Sequence, residues 1–158
     1  MELGDSDMKI TPFLWFDGRA EEAMNFYTSI FKDAKVLNAS RKDGKLFVAT
    51  FELLGQRFMA LNAEPLFKFT EAVSFFVNCE TQQEVDELWE KLSAGGEPGR
   101  CGWLKDKFGL SWQIIPSALT RLMGDPDPEK SKAVFNAMLK MNKLVIADLE
   151  KAYEGKAA

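Results

Sequence analysis

The sequence contains no histidine in its 158 residues. Imidazole is the side chain that titrates near neutral pH and the commonest metal ligand. Its absence excludes Ser-His-Asp and Cys-His catalysis, histidine general bases and histidine-rich metal sites. Acid–base work would fall to Asp, Glu, Lys, Tyr or Cys. Cysteine is scarce too: only Cys79 and Cys101 are present. They lack C-x-x-C spacing, which argues against structural zinc, and they are too few for a disulfide scaffold. No signal-peptide pattern precedes them, so the expectation is a cytoplasmic protein with both thiols free. No apolar run approaches the roughly 20 residues of a membrane helix. An excess of positive charge is missing as well: 20 Lys and Arg face 24 Asp and Glu, a net charge of −4. Nucleic-acid binding usually needs a basic patch, and here basic residues are scattered, as in Lys42-Asp43-Gly44-Lys45.

What is present suits a globular fold. Hydrophobic residues make up 46% and charged residues 28%, and a chain of this size buries roughly 70% of its unfolded surface. Residues 1–7 are polar and are expected to be a disordered lead. A strand is predicted over 9–16, broken by Asp17-Gly18. Ala20, Ala23, Tyr27 and Ile30 then recur at helical spacing, with Glu21 and Glu22 where a helix dipole favours them. Strands are predicted over 36–41, 46–54 and 57–62, with turns at Asp43-Gly44 and Gly55-Gln56. The order then repeats. A strand over 72–79 leads to a helix with Thr81 as N-cap, Glu84 three residues on, and Val85, Leu88, Trp89 and Leu92 on one face. Gly95-Gly96 ends that helix, and strands are expected over 99–103, 103–107 and 111–115. Beyond Pro116 the tail reads as helical. One helix is capped by Asp127 with Pro128 at its first position and carries Val134, Met138 and Met141, flanked by Phe135 and Leu139; a second lies near 146–153. Such a methionine-bearing stripe serves core packing, a dimer interface or an adaptable groove.

Several stretches carry a resemblance. The run 12–18 (PFLWFDG) with Asn25-Phe26-Tyr27, the run 67–75 (FKFTEAVSF) and above all 102–116 (GWLKDKFGLSWQIIP) resemble PhnB-like members of the glyoxalase and bleomycin-resistance, or vicinal-oxygen-chelate, superfamily. The subgroup carries the label demethylubiquinone methyltransferase. The resemblance implies an α+β fold of two βαβββ modules, over 8–63 and 72–116, joined by a loop at 64–71 and followed by a helical tail at 117–158, one structural domain overall. It also implies a homodimer. Metal-using members place ligands on the first and last strands of each module. The matching positions here are Pro12, Ala72 or Ser74, Gln113, and Ala60. Proline and alanine side chains cannot ligate, and a glutamine oxygen is a weak ligand for a divalent ion, so no metal and no cofactor is expected. The label fits poorly with the first strand-to-helix turn, Asp17-Gly18-Arg19, which has one glycine where a nucleotide-binding turn is glycine-rich.

On that fold, side chains with a period of two would line a cavity: Pro12, Leu14 and Phe16; Ala72, Ser74 and Phe76; Ser111, Gln113 and Ile115. The lining is apolar and aromatic with neutral polar groups, as in a small-molecule pocket and equally in a plain core. Gln113 would hydrogen-bond a ligand, or it is a buried amide satisfied by backbone. Cys101, beside Arg100, is a reactive thiol or an inert one. Trp15, Trp89, Trp103 and Trp112 stack on a planar ligand or fill the core. The charged run Lys105-Asp106-Lys107 reads as a turn. The leading reading is a metal-independent small-molecule-binding protein that contacts its ligand through Leu14, Phe16, Ser74, Phe76, Trp103 and Gln113. The alternative is a metal-independent isomerase, lyase or transferase, with Gln113, Glu52, Cys101 and Tyr27 as its candidate catalytic residues. True methyl transfer is a third reading and needs S-adenosylmethionine binding.

Overall fold

The computed structural model describes residues 8–155, so the lead expected at 1–7 lies outside the described residues. The chain divides into two compact units, the first ending at Lys68 and the second starting at Phe69.

The first unit runs β1 (Phe13–Phe16), α1 (Ala20–Ile30), β2 (Lys35–Lys42), β3 (Lys45–Leu53) and β4 (Gln56–Asn62). Its sheet has the order β1-β4-β3-β2, with β1 parallel to β4 and the other pairs antiparallel. Asp43 and Gly44 both take positive φ, the backbone a two-residue hairpin requires. The next hairpin turns at Leu54-Gly55, one residue before the expected position, and both residues again have positive φ. Helix α1 packs on β3 and β4. Tyr27 of α1 stacks on Phe51 at 6.3 Å, and Phe51 stacks on Phe58 at 5.6 Å. Arg19, at the N-cap of α1, supplies no side-chain cap. Asn62 supplies one from β4: its Oδ1 accepts from Ala20 N at 2.7 Å, and its Nδ2 donates to Leu46 O at 2.8 Å. One amide thereby ties the helix start to two strands.

The second unit runs β5 (Ser74–Cys79), α2 (Gln82–Ser93), β6 (Glu97–Pro98), β7 (Trp103–Lys105), β8 (Ser111–Pro116), α3 (Ser117–Met123), α4 (Pro128–Leu139) and α5 (Ile146–Tyr153). Its sheet order, β5-β8-β7-β6, repeats the first, with β5 parallel to β8. Thr81 Oγ1 accepts from Glu84 N at 3.1 Å, and Glu84 Oε2 accepts from Glu80 N at 2.9 Å, one residue ahead of the usual capping-box donor. The strand expected over 99–103 is absent. Cys101 and Gly102 take positive φ, and Gly99 N donates to Trp103 O, so the chain turns there and only the two-residue β6 pairs with β7. Helix α3 begins directly where β8 ends, a helix the sequence pattern does not separate from the rest of the tail. Asp127 caps α4 through Glu129 N at 3.0 Å. The three tail helices enclose Leu119, Leu122, Val134, Leu144 and Leu149 together with Ile115 of β8. Among the described residues no helix is long and apolar enough to cross a membrane.

Candidate functional site

Each sheet has one face under its own helix, and register decides which side chains lie there. In the first sheet Leu14, Ala60 and Ala49 form one cross-strand row. They share a face with Phe51 and Phe58, beneath α1. This corrects the expected orientation: Leu14 and Phe16 are buried on the helix-covered face rather than lining an open one. Ala60 lies there too, so a ligand position at Ala60 would point into the core. Phe13 and Trp15 occupy the opposite face with Met59 and Leu61. Phe13 is 52% exposed. Trp15 donates Nε1–H to Glu64 O at 2.8 Å and meets Phe67 edge-on at 5.0 Å, so the stretch after β4 folds over part of this face. Glu52 shares the helix-free face, since it pairs with Arg57 in the row next to Thr50 and Met59. Tyr27 is 1% exposed and lies under the other face. These two candidate acid–base groups are therefore separated by the sheet.

In the second sheet α2 covers Val77, Cys79, Leu104, Trp112 and Ile114. The helix-free face carries two rows read directly from the register. Lys105, Ser111 and Ser74 form one; Trp103, Gln113 and Phe76 form the next. Gln113 Nε2 donates to Ser74 Oγ at 2.9 Å, which fixes the amide and leaves its oxygen as an acceptor. Phe76 is 56% exposed and Trp103 half-buried, so an aromatic ring flanks the amide on each side. Ile115, expected on this face, is on it but closed off by the tail cluster. The face thus ends at the tail, with Phe76 exposed and Ser74, Gln113 and Trp103 half-buried. At its other end a depression of about 210 Å³ is lined by Trp103, Lys105, Ser111, Glu71 and Glu97, among others. Lys105 Nζ pairs with Glu71 Oε1. That contact holds the Glu71 carboxyl below the usual carboxylate range and raises Lys105, with Glu97 adding to the latter.

Cys101 sits in the left-handed turn ahead of β7, its N–H donating to Met141 O at 2.8 Å, so the backbone that carries it is tied to the tail. Cys79 is buried, and desolvation, with Glu84 and Glu80 nearby, pushes its thiol up to about 11. Asp106, read from sequence as part of a charged turn, is instead buried. Its Oδ1 accepts from Phe108 N and Leu110 N, and its Oδ2 accepts from Trp112 Nε1. Trp112 is therefore core, and the 106–112 stretch is a carboxylate-centred loop. The signal was legible as an Asp two residues before a Phe-Gly turn, which is Asx-turn spacing.

The superfamily's metal can be tested against these donors. On the second sheet's helix-free face the oxygens of the two rows are those of Ser74, Ser111 and Gln113, all neutral, and the two carboxylates at its end, Glu71 and Glu97, are set against Lys105. On the first sheet the corresponding face carries Phe13, Trp15, Met59 and Leu61, with Thr50 and the carboxylate of Glu52. No three His, Cys, Asp or Glu side chains converge anywhere among the described residues. Hard divalent ions need anionic oxygens or imidazoles, and these residues do not fit such a centre.

The geometry agrees with comparisons to known proteins. The family model for 3-demethylubiquinone-9 3-methyltransferase matches residues 8–115, so α3, α4 and α5 lie beyond it. The PhnB protein of Bacillus cereus is 42% identical over 69% of this chain and 99% of its own, with a TM-score of 0.64. Protein PA1353 of Pseudomonas aeruginosa is 20% identical over 70% and 98%, with a TM-score of 0.58. A point mutant of the fosfomycin resistance protein FosX of Listeria monocytogenes, complexed with Mn(II) and 1S,2S-dihydroxypropylphosphonic acid, is 18% identical over 69% and 91%, with a TM-score of 0.54. The last two show the fold alone. No curated protein matches the sequence. Two successive βαβββ modules, the 8–115 match and the 42% identity to PhnB together place this chain in the 3-demethylubiquinone-9 3-methyltransferase (PhnB-like) family of the vicinal-oxygen-chelate superfamily.

Proposed function

We propose that the protein binds a small amphipathic molecule, without a metal, on the helix-free face of its second sheet. The observation that carries this reading is the Gln113–Ser74 pair held at 2.9 Å between Trp103 and the exposed Phe76. A neutral amide flanked by aromatic rings orients a planar ligand by one or two hydrogen bonds and lets stacking supply the affinity. Native mass spectrometry of gently purified protein, followed by a thermal-shift panel of aromatic metabolites, tests it. The expected results are an organic adduct and a ligand-dependent rise in melting temperature. Gln113→Ala should weaken binding about fivefold, the loss of one hydrogen bond worth ~1 kcal/mol. A bare mass together with a flat panel would sink the proposal. The same spectrum tests the homodimer, for which Phe135 and Leu139 on α4 offer exposed apolar surface.

The family description names methyl transfer. S-adenosylmethionine enzymes of the doubly wound type use a parallel sheet and a glycine-rich first turn. Here both sheets are mixed and four-stranded, and that turn is Asp17-Gly18-Arg19. The residues present do not fit that cofactor in that manner.

A further inference from the structure

We infer that the depression at the Lys105 end of this face receives a protonated amine, so that the molecule bound is an aromatic organic cation. The inference rests on the binding reading above and narrows its ligand class. It starts from the charges. Glu71 and Glu97 contribute two negative charges to the lining and Lys105 one positive charge. Lys105 is paired with Glu71. Glu97 stands opposite Lys105 in the β6–β7 register and leaves the depression with one net negative charge. Trp103 lines the same space, and an indole face attracts a cation. The whole chain, at −4, adds to the preference.

A second observation is independent of charge. Ser111 lines the depression, is 1% exposed, and its Oγ has no hydrogen-bond partner. Native proteins seldom leave a buried hydroxyl unsatisfied, because its desolvation is uncompensated. A donor seated in the depression that Ser111 lines would satisfy it once the side chains over the hydroxyl part, and an ammonium N–H is a donor matched to its lone pairs. A carboxylate could accept the hydroxyl's O–H, but it would have to displace Glu71 from Lys105 and face Glu97, so the charges disfavour an anion.

The test uses the intact chain and three probes that share one ring system: 2-naphthylmethylammonium, 2-naphthylmethanol and 2-naphthoate, measured by calorimetry near neutral pH in dilute salt. The ammonium should bind about tenfold tighter than the alcohol, and the naphthoate weakest. Glu97→Gln should shrink that preference severalfold, and added salt should do the same. Ser111→Ala should weaken the ammonium about fivefold while keeping or raising the melting temperature, since it removes an unsatisfied buried hydroxyl. That last pair of readouts separates a ligand contact from a folding defect. Naphthoate binding best, or all three binding equally, would overturn the assignment. So would an unchanged ammonium affinity in Ser111→Ala, which would mean that water alone meets the hydroxyl. If none of the three binds while other members of the wider panel do, the cation assignment falls and the binding reading stands. If nothing in either set binds, both fall.

Discussion

Asp106 and Ser111 are the two buried polar side chains among the described residues, and they sit at opposite extremes of satisfaction. Asp106, 2% exposed, accepts two backbone N–H groups and the Trp112 indole. A buried carboxyl is tolerated there because those donors surround it. Asp106→Ala would orphan all three, at a cost of about 3 kcal/mol. Asp106→Asn keeps the shape but gives up an acceptor and should cost about half as much. Urea denaturation measures both, and midpoints within error of the parent would refute this account of the loop. The two cysteines differ in a similar way. With its thiol near 11 and buried, Cys79 holds only about one thiolate in a thousand at pH 8. Cys101 is partly exposed. A thiol reagent should therefore modify one cysteine per native chain quickly, and Cys101→Ser should abolish that fast phase. Two fast equivalents in the parent would contradict it.

Elements are held by single polar side chains acting across long sequence distances. Gln82, in the first turn of α2, donates to Leu144 O at 3.0 Å and accepts from Ile146 N at 2.7 Å, so its amide clasps the start of α5. Lys143 reinforces the clasp by pairing with Asp86 at 2.9 Å. Gln82→Ala should loosen α5 locally. The Ile146 amide would exchange with solvent at least about tenfold faster, while amides in the first unit keep their rates; uniform rates throughout would mean the clasp does nothing. Gln82 also shows where sequence reading ends. Signals that act within one turn were legible: Thr81 with Glu84, Asp127 before Pro128, and Asp43-Gly44. Asn62 capping α1 from 42 residues away left no local trace, nor did Gln82 reaching the tail. Alternation told which residues of β1 share a face. It could not tell which face α1 would cover, because Leu14 and Phe16 are as apolar as Phe13 and Trp15, and the reading placed them on the wrong side. In the second sheet the face was assigned from the matched positions Ser74 and Gln113, and the register puts both opposite the helix-covered residues. Ser111 was grouped with that face, but its missing partner is visible only in three dimensions.

The whole molecule inherits a simple acid–base response from the residue it lacks. Without histidine, no side chain of ordinary pKa titrates between about pH 5 and pH 8. The groups whose pKa values shift on folding lie on either side of that window. Hydrogen bonds from Lys105 lower Glu71, those from Lys143 and Gln82 lower Asp86, and that from Tyr153 lowers Asp125. A depressed carboxyl contributes stability that is present above its unfolded value and is lost as pH falls through the folded one. On the alkaline side Lys105 and Tyr153 are raised by those same carboxylates, and Cys79 is raised by burial. A raised group contributes stability that is complete below its unfolded value and lost as pH rises through the folded one. The exposed pairs contribute weakly, so the shape of the response is the discriminating feature. The melting temperature should be flat from about pH 5 to about pH 8.5, fall on the acid side as Glu71, Asp86 and Asp125 take up protons, and fall again as Cys79 begins to ionise on unfolding. The acid limb should flatten in Lys143→Met, which removes the cation that depresses Asp86. A slope centred between about pH 6 and pH 7 in the parent would require a carboxyl strongly raised by burial, and such a group would be a better acid–base candidate than Glu52, Tyr27 or Cys101.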